Sequence, residues 1–135
     1  MTGLRGAVLG GIAYFAAVFA AGVLLGALRV GFLEPALGAV LATVAELPVM
    51  LGIAWWLAGR LCPRFGVPTL PARVVMGELA FALLIAAELA LAALAFGMTP
   101  AAVVAHWATP AGALGLAGQV AFGAFPVLRG VLGAR

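Results

Sequence analysis

Polar and charged residues divide this chain into four long apolar runs. Gly6 to Leu28 is 23 residues without a charge, and Pro35 to Gly59 is 25 interrupted only by Glu46. Val74 to Met98 is another 25, carrying Glu78 and Glu88. The fourth run, Ala111 to Leu128, has 18 residues and reaches Leu132 if Arg129 snorkels outward. A helix that crosses a hydrocarbon layer needs about 20 apolar residues. The pattern therefore predicts one transmembrane domain over residues 1–135, with helices at about 6–29, 36–59, 74–97 and 110–132. The fold class is all-α, a polytopic four-transmembrane-helix bundle. The first run is longer than the roughly 7–15 residues of a secretory signal core, so it is read as a retained helix.

The interruptions shape the connections. Pro63, Pro68 and Pro71 predict an extended, non-helical link from Arg60 to Arg73. Ala101 to Trp107, between Pro100 and Pro110, reads as a short interfacial helix. Pro126 is expected to bend the fourth helix near its end. Trp107 and the pair Trp55–Trp56 suit the two aromatic belts of a bilayer. Gly6-x-x-x-Gly10 and Gly22-x-x-x-Gly26 offer the first helix two close-approach stripes.

Composition supports the same class. Apolar residues make up 67% of the chain and charged ones 8%, against about 45–50% and about 25% in soluble domains. Lys, Asp, Asn and Ser are all absent. That excludes a serine nucleophile and the aspartate that usually orients a triad. Net charge is +3, yet the arginines gather at the ends of apolar runs and form no basic stripe for nucleic acid. Arg5, Arg60, Arg64, Arg73, Arg129 and Arg135 share one side of the layer and only Arg29 the other. By the positive-inside rule both termini are cytoplasmic. The Ala-, Gly-, Leu-, Val- and Arg-rich bias fits a bacterial cytoplasmic (inner) membrane, with the lipid bilayer as first partner.

The acidic residues carry the candidate chemistry, because a carboxylate in hydrocarbon persists where it has a partner or a task. Glu46, Glu88 and Gln119 each fall about nine or ten residues from the outer end of their runs, roughly 15 Å deep. Thr43 lies one turn from Glu46. Arg29 joins this polar layer if the first helix continues through Val30 to Phe32; otherwise it caps the outer end and pairs with Glu34. Pro48 frees the carbonyl of Val44 and bends the second helix beside Glu46. Two glutamates against one arginine leave a formal −1, so the layer could share a proton. Such a layer can equally serve only to set helix register. Glu78, ten residues from Glu88 and roughly 80° around the helix from it, reads as an inner carboxylate paired with Arg129 or Arg5.

Other candidates are weaker. His106 has no second histidine at ligand spacing, so neither a metal nor a bis-histidine haem is expected, and no cofactor is assigned. Cys62 is alone, and Met50, Met76 and Met98 read as packing. Tyr14 is expected to find an internal acceptor.

Leu25-Gly26-x-x-Arg29, then Glu46-x-Pro48-x-Met50-Leu51 and Ala87-Glu88, resembles a family of small bacterial four-helix inner-membrane proteins that is itself uncharacterised. The resemblance runs over most of the chain and implies the topology, not an activity. The small multidrug-resistance exporters are of similar size, but carry their glutamate in the first helix, where this chain has none. The functional expectation is a non-enzymatic accessory or scaffold subunit, associating with itself or with other membrane subunits. The alternative is a homo-oligomeric proton- or ion-coupled transporter or channel using Glu46 or Glu88.

Overall fold

The computed structural model describes residues 2–133, all in helices or short connections. Helix α1 (Thr2–Leu28) runs on through a π-helical stretch, Arg29–Leu33, into a single α turn, α2 (Glu34–Leu37). Gly38, at φ +85°, reverses the chain into α3 (Ala39–Arg64). Helix α4 (Leu70–Phe96), a short α5 (Pro100–Trp107) and α6 (Pro110–Gly133) follow. Four of these helices are long and apolar enough to cross a membrane, and the first, counted from Gly3 to Leu37, has 35 residues. Arg135 lies outside the described residues.

With no Ser, Asp or Asn in the chain, threonine does the helix capping. Thr69 accepts from Ala72 N at 3.3 Å, Thr99 from Ala102 N at 3.2 Å and Thr109 from Gly112 N at 3.1 Å. Pro71, Pro100 and Pro110 sit in the first turns, where a missing N–H costs nothing. Gly97, left-handed at φ +64°, ends α4 with Met98 N bonded to Ala92 O.

The link between α3 and α4 is shorter than the prolines suggested. It is Phe65–Thr69, because Pro63 is accommodated in the last turn of α3 and Pro71 in the first turn of α4. The short helix before α6 is present, and Pro126 lies buried inside α6.

Around the bundle, α1 packs on α3 and α4, and α6 packs on the same two. The seams α1–α3 and α4–α6 therefore lie opposite one another. Small residues set these contacts. A Cβ at Gly77 would overlap the carbonyl oxygen of Gly123, so α4 and α6 touch backbone to backbone. A Cβ at Gly6 would overlap the carbonyl oxygen of Phe65, and one at Gly11 would come within 2.9 Å of Met76 O. The second expected stripe does not serve this purpose within the chain: Gly22 meets only Met50 at 3.6 Å and Gly26 only Arg29 at 3.9 Å.

Packing is uneven along the bundle axis. The largest fully buried side chains, Tyr14, Met76, Val67, Pro126 and Cys62, all lie in the half that carries Arg5, Arg60, Arg64, Arg73 and Arg129. In the opposite half α1 buries nothing beyond Val18, and α4 nothing beyond Leu84. There the bundle is open, and Leu24, Phe32, Leu94 and Phe96 are 69–88% exposed.

Candidate polar sites

The sequence suggests one polar layer drawn from four helices. The structure divides it into two clusters on opposite seams, both in the open half.

The first cluster is built by the π-helical stretch. The Glu34 N–H bonds to Arg29 O, an i to i+5 link. In a regular α-helix five residues rotate by about 500°, placing Glu34 about 140° from Arg29. The wider turn brings the two side chains together instead. Arg29 Nη1 donates to Glu34 Oε2, while its Nε donates to Glu46 Oε2 at 2.5 Å across the α1–α3 seam. The helix continues past Arg29, which bonds both Glu46 and Glu34. Side-chain exposures of 29% for Arg29, 28% for Glu34 and 16% for Glu46 show a cluster covered on one side only. Glu46 also lines an apolar recess of about 310 Å³ with Leu25, Leu28, Phe32, Ala45 and Val49.

Two details differ from the expectation. Residues 35–38 close the first span, so Glu46 is seven residues into α3, about 10 Å from its end and not 15 Å. Thr43, although buried, turns back to its own helix and donates to Ala39 O at 2.8 Å, not to Glu46. Pro48 sits at an exposed position within a continuous α3, two residues from Glu46.

The second cluster spans the α4–α6 seam. Gln119 Nε2 donates to Glu88 Oε1, and Gln119 Oε1 is buried without a partner. Among the described residues Glu88 has no cation. Three of the four helices thus retain their expected polar groups in pairwise bonds, and Arg29 supplies the fourth from the π-helical extension, but the pairs do not meet.

Between the polar clusters and the arginine-rich end the centre is filled. Tyr14 OH donates to Phe122 O at 2.7 Å, the internal acceptor expected for it, and the two rings stack with centroids 4.3 Å apart. Cys62 Sγ is buried 3.7 Å from Met76 Sδ.

The expected Glu78–Arg129 pair does not form. Glu78 is exposed on α4, whereas Arg129 lies 4.8 Å over the Trp55 ring and against Gly59. Cation–π stacking on a neighbouring helix holds the guanidinium away from the carboxylate. His106 is exposed on α5, and among the described residues no three His, Cys, Asp or Glu side chains cluster at metal-binding distance.

Sequence reasoning missed Arg73 as more than a topology marker. Its Nη1 donates to Pro126 O at 3.0 Å and its stem crosses Gly130. Pro126 gave no signal for this bond, because a helix proline frees the carbonyl four residues before it, Phe122 O, and that one is taken by Tyr14. Gly77 and Gly123 were missed too, because neither belongs to a Gly-x-x-x-Gly pair. No protein-family model, curated protein or solved structure matches the chain.

Proposed function

We propose that this chain is a multi-pass protein of the bacterial inner membrane, with both termini cytoplasmic, acting as a non-enzymatic accessory or scaffold subunit. The bilayer reading rests on four long apolar helices whose outward faces carry large apolar side chains, among them Leu4, Leu9, Val44, Val120 and Val131. A soluble monomer rarely exposes so much contiguous apolar surface. The orientation rests on the five described arginines at one end of the bundle, Arg5, Arg60, Arg64, Arg73 and Arg129.

The observation that carries the subunit reading is the uneven packing. Two polar clusters sit on opposite seams of the open half, each only partly covered by its own chain. A charged or strongly polar side chain left toward lipid costs about 2.5–3.5 kcal/mol at mid-bilayer. Neighbouring subunits, or further copies of this chain, would cover those clusters. In the other half the Tyr14–Phe122 contact closes the centre, which argues against a solute path through one copy.

One feature favours the transport alternative. Glu88 lacks a cation among the described residues and lies beside the unpartnered Oε1 of Gln119. A protonated Glu88 could donate to that oxygen if the amide turned over, giving a pair with two hydrogen-bonded states.

The test is extraction from native membranes in mild detergent, with the intact complex weighed and its chains identified by mass spectrometry. Stoichiometric foreign subunits are expected. A complex of this chain alone, with proton-linked flux in liposomes that Glu88→Gln abolishes, would replace the subunit reading with the transport one.

A further inference from the structure

At the arginine-rich end, α3, α4 and α6 border an open pocket of about 390 Å³. It is lined by Gly59, Cys62, Pro63, Arg73, Arg129 and Leu132, so both its charged groups are guanidiniums. Neither is paired with a carboxylate among the described residues. Arg129 is held from below by the Trp55 ring, and Gly59 makes room for it: a Cβ there would overlap the guanidinium. Arg73 is held by its bond to Pro126 O, while its Nε is buried with no partner. Two guanidiniums fixed by aromatic stacking and a backbone carbonyl, with donors to spare, form a preorganised receptor for phosphate oxygens.

We propose that this pocket binds a phosphate oxyanion, supplied by the headgroup of an anionic phospholipid. Its position at the positively charged end of apolar helices places it at headgroup level, a location that rests on the membrane reading above. Leu70 and Val74 of α4 and Leu128 and Val131 of α6 are exposed on the same turns, and provide an apolar flank for acyl chains. The pocket is thereby distinct from the Arg29 and Glu88 clusters, which lie in the other half of the bundle.

The test uses the full chain, purified, delipidated in neutral detergent and titrated separately with phosphatidylglycerol, phosphatidylcholine and inorganic phosphate, with adducts counted by native mass spectrometry. Phosphatidylglycerol should bind in preference to phosphatidylcholine. Arg73→Gln and Arg129→Gln should each reduce that preference about fivefold, from about 1 kcal/mol per basic residue. Arg60→Gln and Arg64→Gln, which remove exposed charges from the same end, should leave it within about twofold. Gly59→Ala keeps every charge and favours the helix, yet displaces the Arg129 guanidinium, so it should also weaken the preference; this distinguishes a built site from a diffuse field. Competition by millimolar inorganic phosphate would assign the pocket to free phosphate, and lack of competition to the lipid. Equal binding of the two lipids with no phosphate adduct, or a preference untouched by Arg73→Gln, Arg129→Gln and Gly59→Ala, would overturn the proposal. Alkaline carbonate treatment of native membranes separates the two readings. A carbonate-soluble chain would overturn the lipid source, whereas a carbonate-resistant chain without selectivity would overturn the pocket alone.

Discussion

Replacing Arg29 by glutamine should cost more than replacing either of its partners. Arg29 bridges two carboxylates, so Arg29→Gln leaves both Glu34 and Glu46 without a cation, whereas Glu46→Gln leaves Arg29 still bonded to Glu34. Removing one partner of a fully buried ion pair costs about 3–5 kcal/mol. Arg29 is 29% and Glu46 16% exposed, so solvent screening brings the cost below that range, and about 2–3 kcal/mol is expected for Arg29→Gln. Glu46→Gln keeps a neutral acceptor for the Arg29 Nε and should cost about 1 kcal/mol. Adding Glu34→Gln and Glu46→Gln to Arg29→Gln removes the stranded charges and should recover more than half of the loss. The assay is reversible unfolding in mixed micelles by sodium dodecyl sulfate, followed by far-UV circular dichroism. A loss of about 2–3 kcal/mol lowers the ratio of folded to unfolded chain by roughly 30- to 150-fold, well within its range. If Arg29→Gln were no worse than Glu46→Gln, or the triple variant no better than Arg29→Gln, the bridging role would be untenable.

Further outcomes follow from the packing. Gly77→Ala places a methyl group on the Gly123 carbonyl and should destabilise the α4–α6 contact by about 1–3 kcal/mol in the same assay. Tyr14→Phe keeps the ring stack but loses the bond to Phe122 O, at a cost of about 0.5–1.5 kcal/mol. Met76→Ala opens a cavity at a fully buried position beside Gly10 and Cys62, and about 2–5 kcal/mol should be lost. In a Cys62→Ser background, a membrane-impermeant thiol reagent applied outside intact cells should label Thr99→Cys and not Pro68→Cys. The opposite labelling would reverse the proposed orientation.

The existence and class of the four long helices were legible because run length and arginine placement are properties of the chain in order. So was the need of Tyr14 for an internal acceptor, since a buried hydroxyl must bond somewhere. The helix ends were less legible. Pro63 and Pro71 read as breakers, yet a proline costs little within the first turn of a helix, and Pro63 was absorbed into the last turn of α3.

Depth along each run identified Glu46, Glu88, Gln119 and Arg29 as polar groups on different helices. It could not say which of them meet. That depends on which helices are neighbours, and the bundle order puts α1 beside α3 and α4 beside α6. Arg29 and Glu46 consequently share one seam, with Glu88 and Gln119 on the opposite one. The π-helical turn that brings Glu34 onto Arg29 left no mark in the apolar periodicity, and neither did the stacking that draws Arg129 to Trp55 and away from Glu78. Hydrophobic length is a one-dimensional quantity, so residue order determined it alone. Pairing between side chains far apart in sequence depends on close approach of whole helices, which contacts such as Gly77 on Gly123 decide only once the chain has folded.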